Sequence, residues 1–141
     1  MIIVRPTIAF TSHGMAKNGN HSQGSSPLKV GGWVPHSTTP SSSIVNNELI
    51  LPAGSYKFNM KLATSSAPTY SYFFTITVAT PTETLFSSTD WRSGATYTVV
   101  DHAVNISSDT SVSLTLDLPS LSNSRTILSG EENTYLLFVP A

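Results

Sequence analysis

The 141-residue sequence predicts an all-β fold, a two-sheet antiparallel sandwich of about eight strands, on three observations. Several stretches alternate apolar and polar residues with a period of two, which places one face of a strand in a core and the other in water. Turns rich in proline, serine and glycine separate them. No segment carries the 3.6-residue period of an amphipathic helix, and no internal repeat is evident.

In chain order, residues 2–10 read as a first strand through Ile2, Val4, Ile8 and Phe10, demoted by Pro6 to an edge or bulged strand. Residues 11–43 are loop-rich, with Gly14, Asn18-Gly19-Asn20, two histidines and few apolar residues before a short strand around Pro27 to Val34, and are expected to form an N-terminal arm. The main core is expected from residues 44–141, the whole chain forming one domain. Leu49 and Leu51 point one way before Pro52-Ala53-Gly54, which has the composition of a type I turn and predicts a hairpin. Tyr56, Phe58, Met60 and Leu62 then alternate with Ser55, Lys57, Asn59 and Lys61, the clearest strand in the chain.

Tyr70, Tyr72, Phe74, Ile76 and Val78 mark a second clear strand, on whose polar face Phe73 is an apolar exception that needs a cover. Leu85-Phe86 starts a short strand or turn, Asp90 to Gly94 reads as a loop, and Ala95 to Val100 is a strand that Val104 and Ile106 extend. Val112, Leu114, Leu116 and Leu118 alternate with Ser111, Ser113, Thr115 and Asp117 until Pro119; residues 121–130 read as loop. The last stretch, Thr134 to Val139, is apolar on both faces, as for a strand buried on both sides, central in a sandwich or pressed against a neighbour.

Composition narrows the function. Charged residues are 11% of the chain against a usual share of about 25%, while Ser and Thr together number 41. Polarity therefore comes from hydroxyls, on a surface suited to assembly. A net charge of −1 with scattered basic residues gives nucleic acid nothing to bind. No apolar run is long enough for a helical membrane span, and Arg5-Pro6 interrupts the opening Met1-Ile2-Ile3-Val4 before a signal-peptide core, so a product made in a cytoplasm is expected. With no cysteine there is neither a disulfide framework nor a thiolate metal site.

The chemistry on offer is sparse. His13, His21 and His36 could meet only through loops, so solvated loop histidines are expected rather than a metal site. Asp101-His102 lies among many serines without a Gly-x-Ser-x-Gly elbow, and Glu131-Glu132 are adjacent, where paired acids for glycoside cleavage need a defined separation across a cleft. Gly31-Gly32 lacks the Lys-Ser/Thr of a phosphate loop. No enzyme activity, cofactor or metal is expected. Asn20-His21-Ser22 and Asn105-Ile106-Ser107 match the N-glycosylation pattern, which matters only after secretion. The residues expected to touch a partner are Trp33, Phe73, Trp91 and Arg92, large aromatics in loop-like or outward positions and the arginine beside one of them. For Trp33, a plug at one end of the sandwich is the equal alternative.

The absence of a Cys–Trp–Cys pattern and the apolar final strand favour a jelly roll over an immunoglobulin-like sandwich. Leu51-Pro52-Ala53-Gly54-Ser55-Tyr56-Lys57-Phe58, with the terminal Thr134-Tyr135-Leu136-Leu137-Phe138, resembles the Pro-x-Gly-x-Tyr-x-Phe strand and last strand of C1q/TNF-like jelly rolls. In overall character the chain also resembles the small jelly-roll decoration, or cement, proteins of tailed-bacteriophage capsids. That likeness implies a virion protein on the outer capsid surface, made in the host cytoplasm, homo-oligomeric as a dimer or trimer and bound to the major capsid protein. The C1q/TNF likeness implies instead a trimeric, or lectin-like, binding module at a fibre or spike tip.

Overall fold

A computed structural model describes residues 12–22, 28–39, 43–63, 73–92, 96–117 and 126–141. The expected strand over residues 2–10, and Tyr70 and Tyr72, lie outside the described residues. Among the described residues thirteen strands run in order: β1 (His13–Lys17), β2 (His21–Ser22), β3 (Leu28–Lys29), β4 (Trp33–Pro35), β5 (Ile44–Val45), β6 (Glu48–Leu51), β7 (Gly54–Leu62), β8 (Phe73–Ala79), β9 (Thr84–Arg92), β10 (Tyr97–Ile106), β11 (Thr110–Asp117), β12 (Thr126–Ile127) and β13 (Tyr135–Pro140). The count exceeds the expected eight because five of them are only two or three residues long.

All the pairings are antiparallel. One sheet has the order β10-β7-β13-β1-β4 and the other β5-β6-β11-β8-β9, with β3 also on β11; β2 and β12 form a separate pair. Two strands share one edge of β11 in tandem, β6 beside residues 110–112 and β3 beside residues 115–116. The alternating residues predicted to be inward meet between the sheets: Tyr56, Phe58, Met60 and Leu62 from β7, Ile76 and Val78 from β8, Val112, Leu114 and Leu116 from β11. Phe58 lies at the centre, its ring 4.8 Å from that of Phe138 and 6.0 Å from that of Phe86.

The predicted hairpin at Pro52-Ala53-Gly54 is corrected. β6 and β7 belong to different sheets, and the three residues carry the chain across the sandwich. The crossing is pinned where the Tyr56 hydroxyl donates to the Pro52 carbonyl at 2.6 Å and the Ala53 N–H donates to Asp109 Oδ1 at 2.9 Å. Leu51 and Tyr56 can then reach one core from opposite sides, a placement that the alternation alone allowed equally for a hairpin. The local hairpin lies just upstream: Asn46 and Asn47, at φ 52° and 61°, join β5 to β6 with Val45 opposite Glu48. Two successive positive φ values define the tight I′ geometry, which asparagine tolerates best among non-glycine residues.

The expectation of a loop-rich arm over residues 11–43 also needs correction for part of its length. β1 is an interior strand, between β13 and β4, and the arm adds Met15, Val30 and Trp33 to the core. Its apolar pattern is weak because Gly14 and Ala16 are small rather than because the segment is solvated. A further correction concerns residues 90–92, read as loop, which continue β9; its register against β8 shifts between Phe74 and Ile76 and again between Val78 and Ala79. The last strand is central in its sheet, with only one of its two apolar faces fully buried.

β10 shows how a polar strand keeps its register. Val99 pairs with Met60 and His102 with Phe58, so Val100 and Asp101 together oppose Asn59, a β-bulge. Asp101 adopts φ 50°, and Asn59 holds it from both sides: Oδ1 accepts the Asp101 N–H at 3.1 Å while Nδ2 donates to Asp101 Oδ1 at 3.4 Å. Asp101 is thus engaged in backbone geometry, and His102 sets its ring against Phe86 at 5.4 Å.

Candidate assembly surface

Among the described residues, the outer face of the β10-β7-β13-β1-β4 sheet carries a row of apolar side chains. In β13, Leu136 and Phe138 are fully buried inward, so Tyr135, Leu137 and Val139 point out; the first two are half-buried and Val139 is 36% exposed. On one flank they pair with Lys61, Asn59 and Lys57 of β7. On the other, Gly14 and Ala16 of β1 pair with Leu137 and Tyr135, and Val34 of β4, 38% exposed, pairs with Ala16. The result is an apolar ridge beside a floor of small residues.

Gly14 is needed for that floor. A Cβ there would stand 2.7 Å from the Leu136 carbonyl oxygen and 2.7 Å from Leu137 Cδ1, and the first is backbone that cannot yield. Leu137 therefore lies over a position where only hydrogen fits.

A polar cluster borders the ridge. His36 donates its backbone N–H to the Gly14 carbonyl at 3.1 Å and sets its ring edge against Tyr135 at 5.7 Å. Its Nε2 is 2.8 Å from Glu131 Oε1, and its Nδ1 is 2.9 Å from Thr38 Oγ1. Ser37 donates a short hydrogen bond to the same Glu131 oxygen. Thr39 Oγ1 accepts the Gly14 N–H at 2.7 Å and donates to the Ser12 carbonyl at 3.0 Å. These contacts tie residues 36–39 to β1 and to the turn before β13. The Ser37 hydroxyl, with the His36 charge second, holds the Glu131 carboxyl below its ordinary value, although partial burial opposes this. The sign follows: folding stability from Glu131 is fully present above the unfolded carboxyl value near pH 4.5 and is lost as pH falls through the lower folded value. Because the side chain is 40% exposed, solvent screens the effect to a few tenths of a kcal/mol. In paired acid-unfolding curves, wild type and Glu131→Gln should differ above about pH 5 and converge below it.

The residues expected to touch a partner are distributed differently. Trp33 is a core residue, 4% exposed, with its indole N–H donating to the Val30 carbonyl at 2.8 Å, the placement of a plug. The backbone registers Phe73 opposite Arg92 and Phe74 opposite Trp91, at the end of the β8–β9 pair away from its turn. Phe73, Trp91 and Arg92 are thus brought together by strand pairing, on the sheet opposite the apolar face described above. The histidines diverge: His13 packs on Tyr56 at 6.0 Å, His36 on Tyr135 and His102 on Phe86, and among the described residues no three His, Asp or Glu side chains converge as metal ligands would. The His36–Glu131 pair was missed in the sequence because nearly a hundred residues separate its members and the turns that bring them together carry no periodicity.

No family model and no curated protein matches this chain. Among solved structures it is similar to the Eiger TNF of S. frugiperda, with a TM-score of 0.57 over 94% of this chain and 93% of that one, at 14% identity. The fold is a TNF-like jelly roll. At that identity the TNF likeness establishes the path of the chain through its two sheets, and the surface residues must be read on their own chemistry.

Proposed function

We propose that this chain is a non-catalytic, homotrimeric binding module of the C1q/TNF-like kind, whose subunits pack through the outer face of the β10-β7-β13-β1-β4 sheet. The observation that carries the reading is the Tyr135–Leu137–Val139 ridge beside the Gly14–Ala16 floor. An outward leucine seated over a buried glycine offers a second copy an apolar knob held in a fixed position. Large apolar side chains contribute about 1.5–3 kcal/mol each when fully buried, though only the surplus over the entropy of association appears as affinity. The TNF-like fold fits such a module, and the scarcity of charge, 11% of residues, fits a surface that is covered.

Sedimentation of the wild-type chain and of Leu137→Glu tests it. The wild type should sediment as a trimer and the variant as a folded monomer, with association weakened on the order of 30-fold or more. A wild-type chain that stays monomeric at high micromolar concentration would remove the reading.

The same low charge and hydroxyl-rich composition support a second reading, in which the oligomer decorates the outer surface of a capsid and staples its major capsid protein. Stoichiometric amounts of the chain in purified virions, measured by mass spectrometry, would favour this role, and a free oligomer absent from particles would exclude it.

A further inference from the structure

We infer that Asn18 is a self-modification site, at which the folded chain converts its own asparagine into aspartate or isoaspartate with the help of the neighbouring Lys17 ammonium. Asn18-Gly19 is the only asparagine followed by glycine in the sequence. The glycine matters because the attacking group is the backbone nitrogen of the next residue, which a side chain there would crowd. Asn18 and Gly19 are both exposed just beyond β1, with Gly19 at φ 77° and nothing within 4 Å of where its Cβ would stand. Among the described residues nothing accepts the Gly19 N–H.

Other asparagine side chains are held. Asn20 Oδ1 accepts the Ser129 N–H at 2.9 Å, and Asn59 engages Asp101 through both of its side-chain polar atoms. Asn105 Oδ1 accepts the Ser55 hydroxyl at 2.8 Å, and Asn133 Nδ2 donates to the Ser129 carbonyl at 2.8 Å. The Asn18 side chain has no such bond among the described residues and is free to turn toward the Gly19 nitrogen. Its backbone, by contrast, is fixed. The Asn18 N–H donates to the Gly32 carbonyl at 2.8 Å, and its own carbonyl accepts from Lys17 Nζ at 3.3 Å.

That last contact falls on the atom where charge develops. When the Gly19 amide gives its proton to solvent hydroxide, the negative charge is shared between its nitrogen and the Asn18 carbonyl oxygen. A buried ammonium donating to that oxygen stabilises the anion more than water does. The nitrogen then attacks Asn18 Cγ and closes a cyclic imide, while the side-chain nitrogen leaves as ammonia with a proton from water. Water opens the ring. Cleavage of the Cγ–N bond leaves aspartate, and cleavage at the backbone carbonyl leaves isoaspartate. Both products carry a carboxylate beside Lys17, whose ammonium otherwise has only the Asn18 and Gly32 carbonyls. The step is one-way because ammonia is lost, so it marks older copies of the chain and supplies the missing ion-pair partner where β1 meets β4. None of this depends on the assembly proposed above.

Peptide mapping by mass spectrometry, on the full chain sampled during incubation at neutral pH, tests the inference. Asn18 should convert before any other asparagine, and at least as fast in the folded chain as in the same chain unfolded in urea. Lys17→Met should slow the folded reaction about fivefold and leave the rate in urea nearly unchanged. Asn18→Asp, which installs one product directly, should raise the urea midpoint, and the gain should vanish in the Lys17→Met background. An Asn18 that stays intact while other asparagines convert, a folded rate well below the unfolded one, or a Lys17→Met rate equal to that of the wild type would each overturn it. So would an Asn18→Asp variant whose midpoint does not rise, or rises equally without Lys17.

Discussion

Replacing Phe58 with alanine should lower the unfolding free energy by about 3–5 kcal/mol, enough to unfold a marginally stable domain. Phe58 is fully buried in the second strand of its sheet, paired with Phe138 on one side and His102 on the other. Its ring also meets Phe86 of the opposite sheet, so the void left by truncation would be walled by both layers. Neither wall can collapse freely, because each is held by strand ladders, and the cavity contribution therefore stays near the upper part of its range. The check is denaturant unfolding at fixed protein concentration, with the midpoint falling and the slope unchanged. Lys57→Ala, one residue earlier and facing out, should change stability by no more than about 0.5 kcal/mol.

The second large effect has the opposite sign. Lys17→Met should raise stability by about 1–3 kcal/mol at neutral pH. Lys17 is 3% exposed, and its ammonium has only long contacts to the carbonyls of Asn18 and Gly32, at 3.3 and 3.5 Å, with no carboxylate partner among the described residues. Burial pushes its pKa down from 10.5, so between the lowered folded value and 10.5 the unfolded chain binds more protons than the folded one. Stability of the wild type therefore rises with pH across that window and is lost as pH falls through the folded value. Methionine has a similar length and no charge to desolvate, so its pH profile there should be flatter and lie above that of the wild type until the window closes. Gly32, at φ 73°, leaves the space the ammonium occupies, since a Cβ there would stand 2.6 Å from Nζ. If Lys17→Met instead destabilises, the two carbonyl contacts outweigh the desolvation.

The sandwich was legible wherever inward residues alternate with polar ones. The runs through Phe58, Ile76 and Leu114 needed no tertiary information, because period-two patterning and burial state the same thing. Two features were not legible, each for a local reason. β1 carries Gly14 and Ala16 outward, so its alternation is one of size rather than polarity, and a strand covered by neighbours looks like loop. The turn at Pro52 specifies a reversal but not the sheet to which the returning strand adds, which depends on Asp109, far along the chain, receiving the Ala53 N–H. The Asn46-Asn47 hairpin, by contrast, carries its own signal in two successive residues tolerant of positive φ. At the candidate surface, the apolar outer face of β13 was visible as a doubly apolar strand, whereas its small-residue floor and the His36–Glu131 pair required strands from opposite ends of the chain.

The placement of β1 has a temporal consequence. Its partner β13 is made more than a hundred residues later, and Met15 faces Leu136 across a seam that joins segments far apart in the chain. While the chain emerges, β7 can find β10, but the middle of the sheet stays vacant until residues 135–140 leave the ribosome. A nascent chain therefore carries two unsatisfied strand edges with apolar side chains around them until β13 emerges. Closure is then a late, long-range event, of the kind that folds slowly and gives aggregation its opportunity. Shielding by a chaperone, or by a second copy offering its own β13, would matter most during that interval.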